Sequence, residues 1–162
     1  MNTHCVFYRT NIIFDGRVSS IIKTLAESFP NDNINIFEYP IKREHYKLFP
    51  SNVHIIKPKY YFNNFKKTSF VTLLLNFEYA LRGLVFLIKT RPKSIQVHHE
   101  IVTIAPLIYK LFNRKTVIVY DDKEMYHPRD SNIPSILFNI EYKLIELSEL
   151  VIITNKYREK AL

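Results

Sequence analysis

Glycine occurs only twice in this 162-residue chain, at Gly16 and Gly83. That scarcity removes several kinds of chemistry at once. A dinucleotide fingerprint needs several glycines in the first strand–helix turn, and a Walker A loop needs its glycines ahead of Lys-Ser/Thr. Neither can be assembled from two glycines so far apart. No serine stands in a nucleophile-elbow setting either. Cysteine occurs once, at Cys5. A single cysteine excludes an internal disulfide framework and a cysteine-only metal site, and it fits a reducing compartment. With no activating neighbour in sequence, Cys5 reads as a buried structural thiol. The N-terminus has only a short apolar stretch before Asp15 and Arg17. It does not read as a signal peptide, so the expectation is an intracellular protein. There is no internal repeat and no low-complexity segment.

What is present is enough for one domain with a real core. Hydrophobic residues make up 47% of the chain, which argues against disorder. The net charge of +8 calls for an anionic partner or surface, but nucleic acid, an acidic lipid face and an anionic substrate fit it equally.

Strands and helices alternate along the chain. His4–Tyr8 reads as a strand. Arg17–Phe29 places Val18, Ile21, Ile22, Leu25, Ala26 and Phe29 at helical spacing, with Pro30 as a stop. Asn33–Glu38 alternates as a half-buried strand does, and Val53–Lys57 is a short strand closed by Pro58. Thr68–Lys89 is a long helix capped by Thr68 or Ser69. It has the length of a membrane span, but Glu78 and Arg82 lie near its centre at i,i+4. Charges there are costly in a bilayer and ordinary on a helix surface, so the expectation is a sheet-covering helix. Ser94–Val97, Thr116–Tyr120 and Leu150–Thr154 complete the strands; Ile101–Phe112 and Ile133–Leu147 complete the helices. Short strands separated by helical runs predict an α/β fold: one Rossmann-like, three-layer α/β/α domain with a mainly parallel sheet.

Polar, reactive side chains gather where two of these strands end. Ser94–Val97 runs into His98, His99 and Glu100, and Thr116–Tyr120 runs into Asp121, Asp122, Lys123 and Glu124. Open α/β sheets bind ligands outside the carboxyl ends of their strands, so the two clusters point to one site. A histidine there can serve as acid or base. Adjacent side chains point in different directions, so at most one of His98 and His99 faces a given substrate. The structural alternative is a histidine bonded to local backbone while Glu100 caps the next helix. In the first loop, Asp15 can cap the helix that follows, Gly16 permits a turn or close approach, and Arg17 can face a phosphate beside a helix start that binds anions; a capped surface loop fits as well. His99, Asp121 and Glu124 are possible metal ligands, but the spacing matches no closed site and Lys123 opposes a divalent cation. No metal is expected.

Lys57, Lys59, Tyr60, Tyr61, Lys66 and Lys67 interleave cations with aromatics. Such a segment suits an anionic membrane interface or a lipid-phosphate acceptor better than stacked bases, given the leucine- and phenylalanine-rich helix that follows. A loop covering the sheet edge is the plainer alternative.

Four stretches in order carry a family resemblance: Asp15-Gly16-Arg17-Val18 before a long helix; Val97-His98-His99-Glu100; Tyr120-Asp121-Asp122-Lys123-Glu124-Met125-Tyr126; and Glu141 through Leu162. Together they resemble the N-terminal, acceptor-side domain of glycosyltransferases with two facing Rossmann-like domains, the GT-B architecture. The family in question includes many bacterial polysaccharide and lipid glycosyltransferases. The resemblance implies that His99 lies by the acceptor and the reaction centre. Asp15, Gly16 and Arg17 would face the donor, and Glu124 and Tyr126 would lie on the later loop. His98, Glu100, Asp121 and Lys123 join these as candidate substrate contacts. Lys123 stands where many members have histidine, so that histidine's role does not transfer. Residues 1–154 would form the domain, and 155–162 would start a helix toward a C-terminal donor domain that this chain does not contain. The resemblance further implies no cofactor beyond a nucleotide-sugar co-substrate, a saccharide or lipid-linked acceptor, and a donor-binding domain or subunit as partner. Cytoplasmic placement follows, with peripheral contact at the inner face of the membrane. On this reading the domain does little or no transfer alone. The competing reading is a non-catalytic Rossmann-like or remnant protein that meets an anionic partner.

Overall fold

A computed structural model describes residues 1–8, 16–39, 49–66, 68–122 and 135–153; the side chains of residues 100, 122 and 135–138 are outside that description. The elements, in order, are β1 (Thr3–Tyr8), α1 (Gly16–Ser28), β2 (Asn33–Glu38), β3 (Val53–Ile56), α2 (Ser69–Thr90), β4 (Ser94–His98), α3 (Ile104–Phe112), β5 (Val117–Asp122), α4 (Ser135–Glu146) and β6 (Leu150–Ile153). Single 3-10 turns cover Phe62–Asn64 and Glu100–Val102.

The six strands pair in parallel in the order β3-β2-β1-β4-β5-β6. Chain order therefore reverses between β1 and β4, which register Tyr8 against His98 at their carboxyl ends. This is the switch point at which doubly wound sheets open a crevice.

Period-two alternation divides the core between the two faces of the sheet. Val6, Tyr8, Ile34 and Ile36 meet Val18, Ile22 and Ala26 of α1 on one face. Cys5, Phe7, Phe37, Ile95, Val97, Ile118 and Tyr120 lie on the other, beneath α2, α3 and α4. The result is the three-layer α/β/α arrangement expected from the sequence. Cys5 is buried there, as its reading as a structural thiol anticipates.

Local chemistry sets the limits of α2. Thr68 is extended, and its hydroxyl accepts the Val71 N–H at 3.2 Å. Arg91 stops the helix in the left-handed region at φ 46°, donating its N–H to Leu87 O at 2.9 Å, and Pro92 follows. Gly83 allows the helix to lie close to the sheet. A Cβ there would stand 2.9 Å from Phe7 Cε1 and 3.2 Å from Ala105 Cβ.

Three expectations change. β4 and β5 run further than their apolar runs suggest, taking in His98 and Asp121. Helix α3 starts later than its spacing suggests, at Ile104 after Thr103, and Glu100 opens a separate 3-10 turn. Glu78 and Arg82 do pair, at 2.7 Å, but Glu78 is buried rather than on the helix surface. Its two oxygens also accept the N–H groups of Tyr61 (2.9 Å) and Phe62 (3.1 Å). It thus clamps the basic aromatic segment onto α2.

At the opposite, amino-terminal end of the sheet, His4 bonds Ser94 Oγ at 2.7 Å and Asp32 Oδ2 at 3.3 Å. The residue types are those of a hydrolytic triad. However, Ser94 lies within β4, registered against both His4 and Val117. The cluster ties the start of β1 to its neighbours.

Candidate functional site at the β1–β4 switch point

Alternation along β4 and β5 turns His98 and Asp121 to the same face as α1. The strand register places Val97 beside Tyr120, so the next residues, His98 and Asp121, are neighbours. His98 Nδ1 lies 2.9 Å from Asp121 Oδ2, and both side chains are 0% exposed. Arg17, in the first turn of α1, reaches across to Asp121 Oδ1 with Nη2, so one carboxylate holds a guanidinium and an imidazole. Tyr8 closes the group, its ring edge-on to His98 at 5.9 Å. Two strands and a helix start are thus joined at the crevice. A buried carboxylate is tolerable only with a counter-charge against it, which Arg17 supplies here.

His99 is the next residue along, and it is placed differently. It is half-buried, and its φ is 113°, a region that residues with a Cβ seldom enter. The reversal after His98 lets the chain leave the sheet at once and enter the turn Glu100–Val102. Ile101 donates its N–H to His99 Nδ1 at 3.4 Å, and Val102 N–H bonds His99 O at 3.3 Å.

The structure therefore brings together Arg17, His98 and Asp121, with His99 beside them on the accessible side. It corrects the expectation that His98 and Asp121 contact a substrate directly, since both are sealed from solvent. They form the support behind the crevice wall. At Gly16 nothing in the described fold demands glycine: φ is not positive, and an added Cβ would meet nothing within 4 Å. Asp15, Lys123, Glu124 and Tyr126 lie outside the described residues, as does the side chain of Glu100.

The basic aromatic segment divides. Tyr60 is a core residue at 8% exposure, its hydroxyl donating to Glu38 O at 3.0 Å, which corrects its reading as a surface contact. Burial pushes its phenol well above the ordinary tyrosine range. Tyr61, Lys57, Lys59 and Lys66 are exposed, with Lys57 4.0 Å from Glu38 Oε2. Lys67 is outside the description.

The strand ends are legible in the sequence, but the Arg17–Asp121 pair, which spans 104 positions, is not. Its only trace was the presence of an arginine at one strand–helix turn and an acid at another.

No protein-family model and no curated protein matches this sequence. Solved structures do share its fold. Sucrose-phosphate synthase from Thermosynechococcus elongatus matches 100% of this chain and 44% of its own length, at TM-score 0.70 and 8% identity. UDP-GlcNAc 2-epimerase from Methanocaldococcus jannaschii matches 99% of this chain and 43% of its own, at TM-score 0.56 and 14% identity. CalG4, the calicheamicin glycosyltransferase, matches 89% of this chain and 41% of its own, at TM-score 0.53 and 13% identity. This chain spans less than half the length of each, and at these identities the likeness is one of fold. The fold is that of one Rossmann-like half of a GT-B architecture.

Proposed function

We propose that this chain forms the acceptor-facing wall of a sugar-transfer site, with the crevice beside His99 as the place where an acceptor hydroxyl is held. The observation that carries the reading is the Arg17–Asp121–His98 group, whose acid and imidazole are buried. It sits at the switch point and fixes the end of β4, from which His99 projects. In the complete reaction the acceptor oxygen forms a bond to the anomeric carbon of a nucleotide sugar. The bond from that carbon to the diphosphate breaks, and the hydroxyl proton passes to the departing diphosphate or to water. His99 is placed to hydrogen-bond a saccharide hydroxyl and so to orient it. Arg17 has its charge committed to Asp121, so its first duty is to hold the wall. The donor would be met across the cleft by a second domain or subunit, and transfer by this wall alone would be slight. Two of the matched proteins carry sugar-transfer names, sucrose-phosphate synthase and calicheamicin glycosyltransferase, and this supports a saccharide as the ligand class.

Saturation-transfer NMR tests this reading. The chain would be presented with a panel of di- and oligosaccharides and, separately, with UDP- and GDP-sugars. Saccharide signals that vanish in His99→Ala are the expected result. A panel that gives no transfer, or gives it equally in His99→Ala, overturns the reading.

A further inference from the structure

We propose that the outer face of α2 is a docking surface for an anionic phospholipid bilayer, on which the helix lies flat. This does not rest on the sugar-transfer reading. It begins from exposed apolar side chains that the core does not use. Phe70, Leu73, Phe77, Leu81, Val85 and Ile88 recur at steps of three and four residues and form one unbroken stripe. Each is exposed, Phe70 and Phe77 at 67%. Single exposed leucines need no explanation, but an aligned set of this length marks an interaction surface. The opposite face of the same helix buries Leu75, Tyr79, Gly83 and Leu87 against the sheet and α3. α2 is long and apolar enough to cross a bilayer by length and composition. Because its inner face is fixed to the sheet, it can offer lipid only one side, as an interfacial helix does.

Charge identifies the partner. Between Lys57 and Lys93 there are eight lysines and arginines and one acid, Glu78. That acid is buried and bonded to Arg82 and two backbone N–H groups. The segment thus holds nearly all of the net positive charge of the chain. An apolar groove of about 680 Å³ adjoins the stripe, walled by Phe37, Ile56 and Phe86, with Lys57, Arg82 and Lys89 at its edges. Tyr61 and Phe65, both exposed, extend the apolar surface past the start of α2, with Lys66 next to them. Apolar side chains below and flanking cations at headgroup level match an anionic bilayer, whose negative surface attracts each basic residue. A second copy of this chain fits less well. A two-fold contact along the stripe would bring like charges together with no exposed acid on α2 to meet them.

The test is co-sedimentation of the chain with vesicles of phosphatidylcholine containing about one quarter phosphatidylglycerol, and with phosphatidylcholine alone. The expected result is binding to the anionic vesicles, weakened about tenfold or more by Phe77→Glu/Leu81→Glu and also by Lys66→Glu/Lys89→Glu, and falling as salt rises. All four positions are exposed, so unchanged circular dichroism is expected and separates lost binding from lost folding. Absence of binding, equal binding to neutral vesicles, or indifference to Phe77→Glu/Leu81→Glu overturns the proposal. Sedimentation velocity adds a further arm: a dimer that Phe77→Glu/Leu81→Glu dissolves, in a chain that ignores vesicles, would make the face a self-contact instead.

Discussion

One oxygen of the Asp121 carboxylate lies 2.9 Å from His98 Nδ1 and the other pairs with Arg17, and neither Asp121 nor His98 is exposed to solvent. Removing the charge leaves the Arg17 guanidinium without its counter-ion, beside a buried imidazole. Breaking a buried pair from one side costs about 3–5 kcal/mol, and the partial exposure of Arg17 places Asp121→Asn near the lower figure. Arg17→Met strands the buried Asp121 carboxylate without its guanidinium and should cost about as much. Urea unfolding of both variants checks the size of the two losses. A loss below about 1 kcal/mol in both would mean that the pair is not buried as described.

The two glycines should respond oppositely to substitution. Gly83→Val forces atoms into the space of Phe7, which is fully buried and stacked on Phe37 at 5.2 Å, and of Ala105. Overpacking of this kind costs about 1–3 kcal/mol, and the β-branched side chain adds a smaller helix penalty. Gly16→Ala meets nothing and has no positive φ to strain it. Its melting temperature should match or exceed that of the parent, since alanine orders the first helical turn at lower entropic cost.

Glu78 gives the fold an acid-sensitive joint. Burial pushes its carboxyl upward, but the N–H groups of Tyr61 and Phe62 and the Arg82 guanidinium outweigh that and hold it below 4.5. A carboxylate held lower in the folded state contributes stability at pH values above 4.5, and that contribution is lost as pH falls through the folded value. Glu78→Gln should therefore melt below the parent at neutral pH. The difference should shrink on acidification below 4.5. A pH series of thermal melts provides the check, and a difference that grew with acid would contradict the sign.

The Cys5 thiol is pushed up to about 12 by burial, with the Thr90 hydroxyl pulling weakly the other way. Reaction with a thiol reagent at mildly alkaline pH should thus be limited by unfolding, and denaturant should release it. Rapid labelling of the native chain would show that Cys5 is not buried as described.

The order of strands and helices was legible because each depends on neighbours in sequence: the alternation of Asn33–Glu38, the helical spacing of Val18, Ile22 and Ala26, and the cap at Thr68. The last residues of β4 and β5 were not. Histidine and aspartate read locally as loop formers, and only pairing across strands makes Asp121 acceptable inside the sheet. Tyr60 reads as exposed in sequence for a related reason, though it is buried. Its neighbours are basic and exposed, but Glu78, 18 positions away, holds the adjoining backbone and turns the ring under Arg82, 5.9 Å from the ring centroid. Where the proposed site lies can be read from the strand ends. Which of its two histidines is reachable cannot, because that depends on the backbone reversal at φ 113°.

The central claim, a saccharide site on the crevice wall beside His99, is tested most directly by site-resolved NMR of the isotope-labelled chain during titration with an oligosaccharide that gives saturation transfer. The account predicts amide shifts at Tyr8, His98, His99, Ile101 and Arg17, all at the β1–β4 switch point, with His99→Ala abolishing them. Shifts confined to α2, or to the His4–Ser94 end of the sheet, would contradict it.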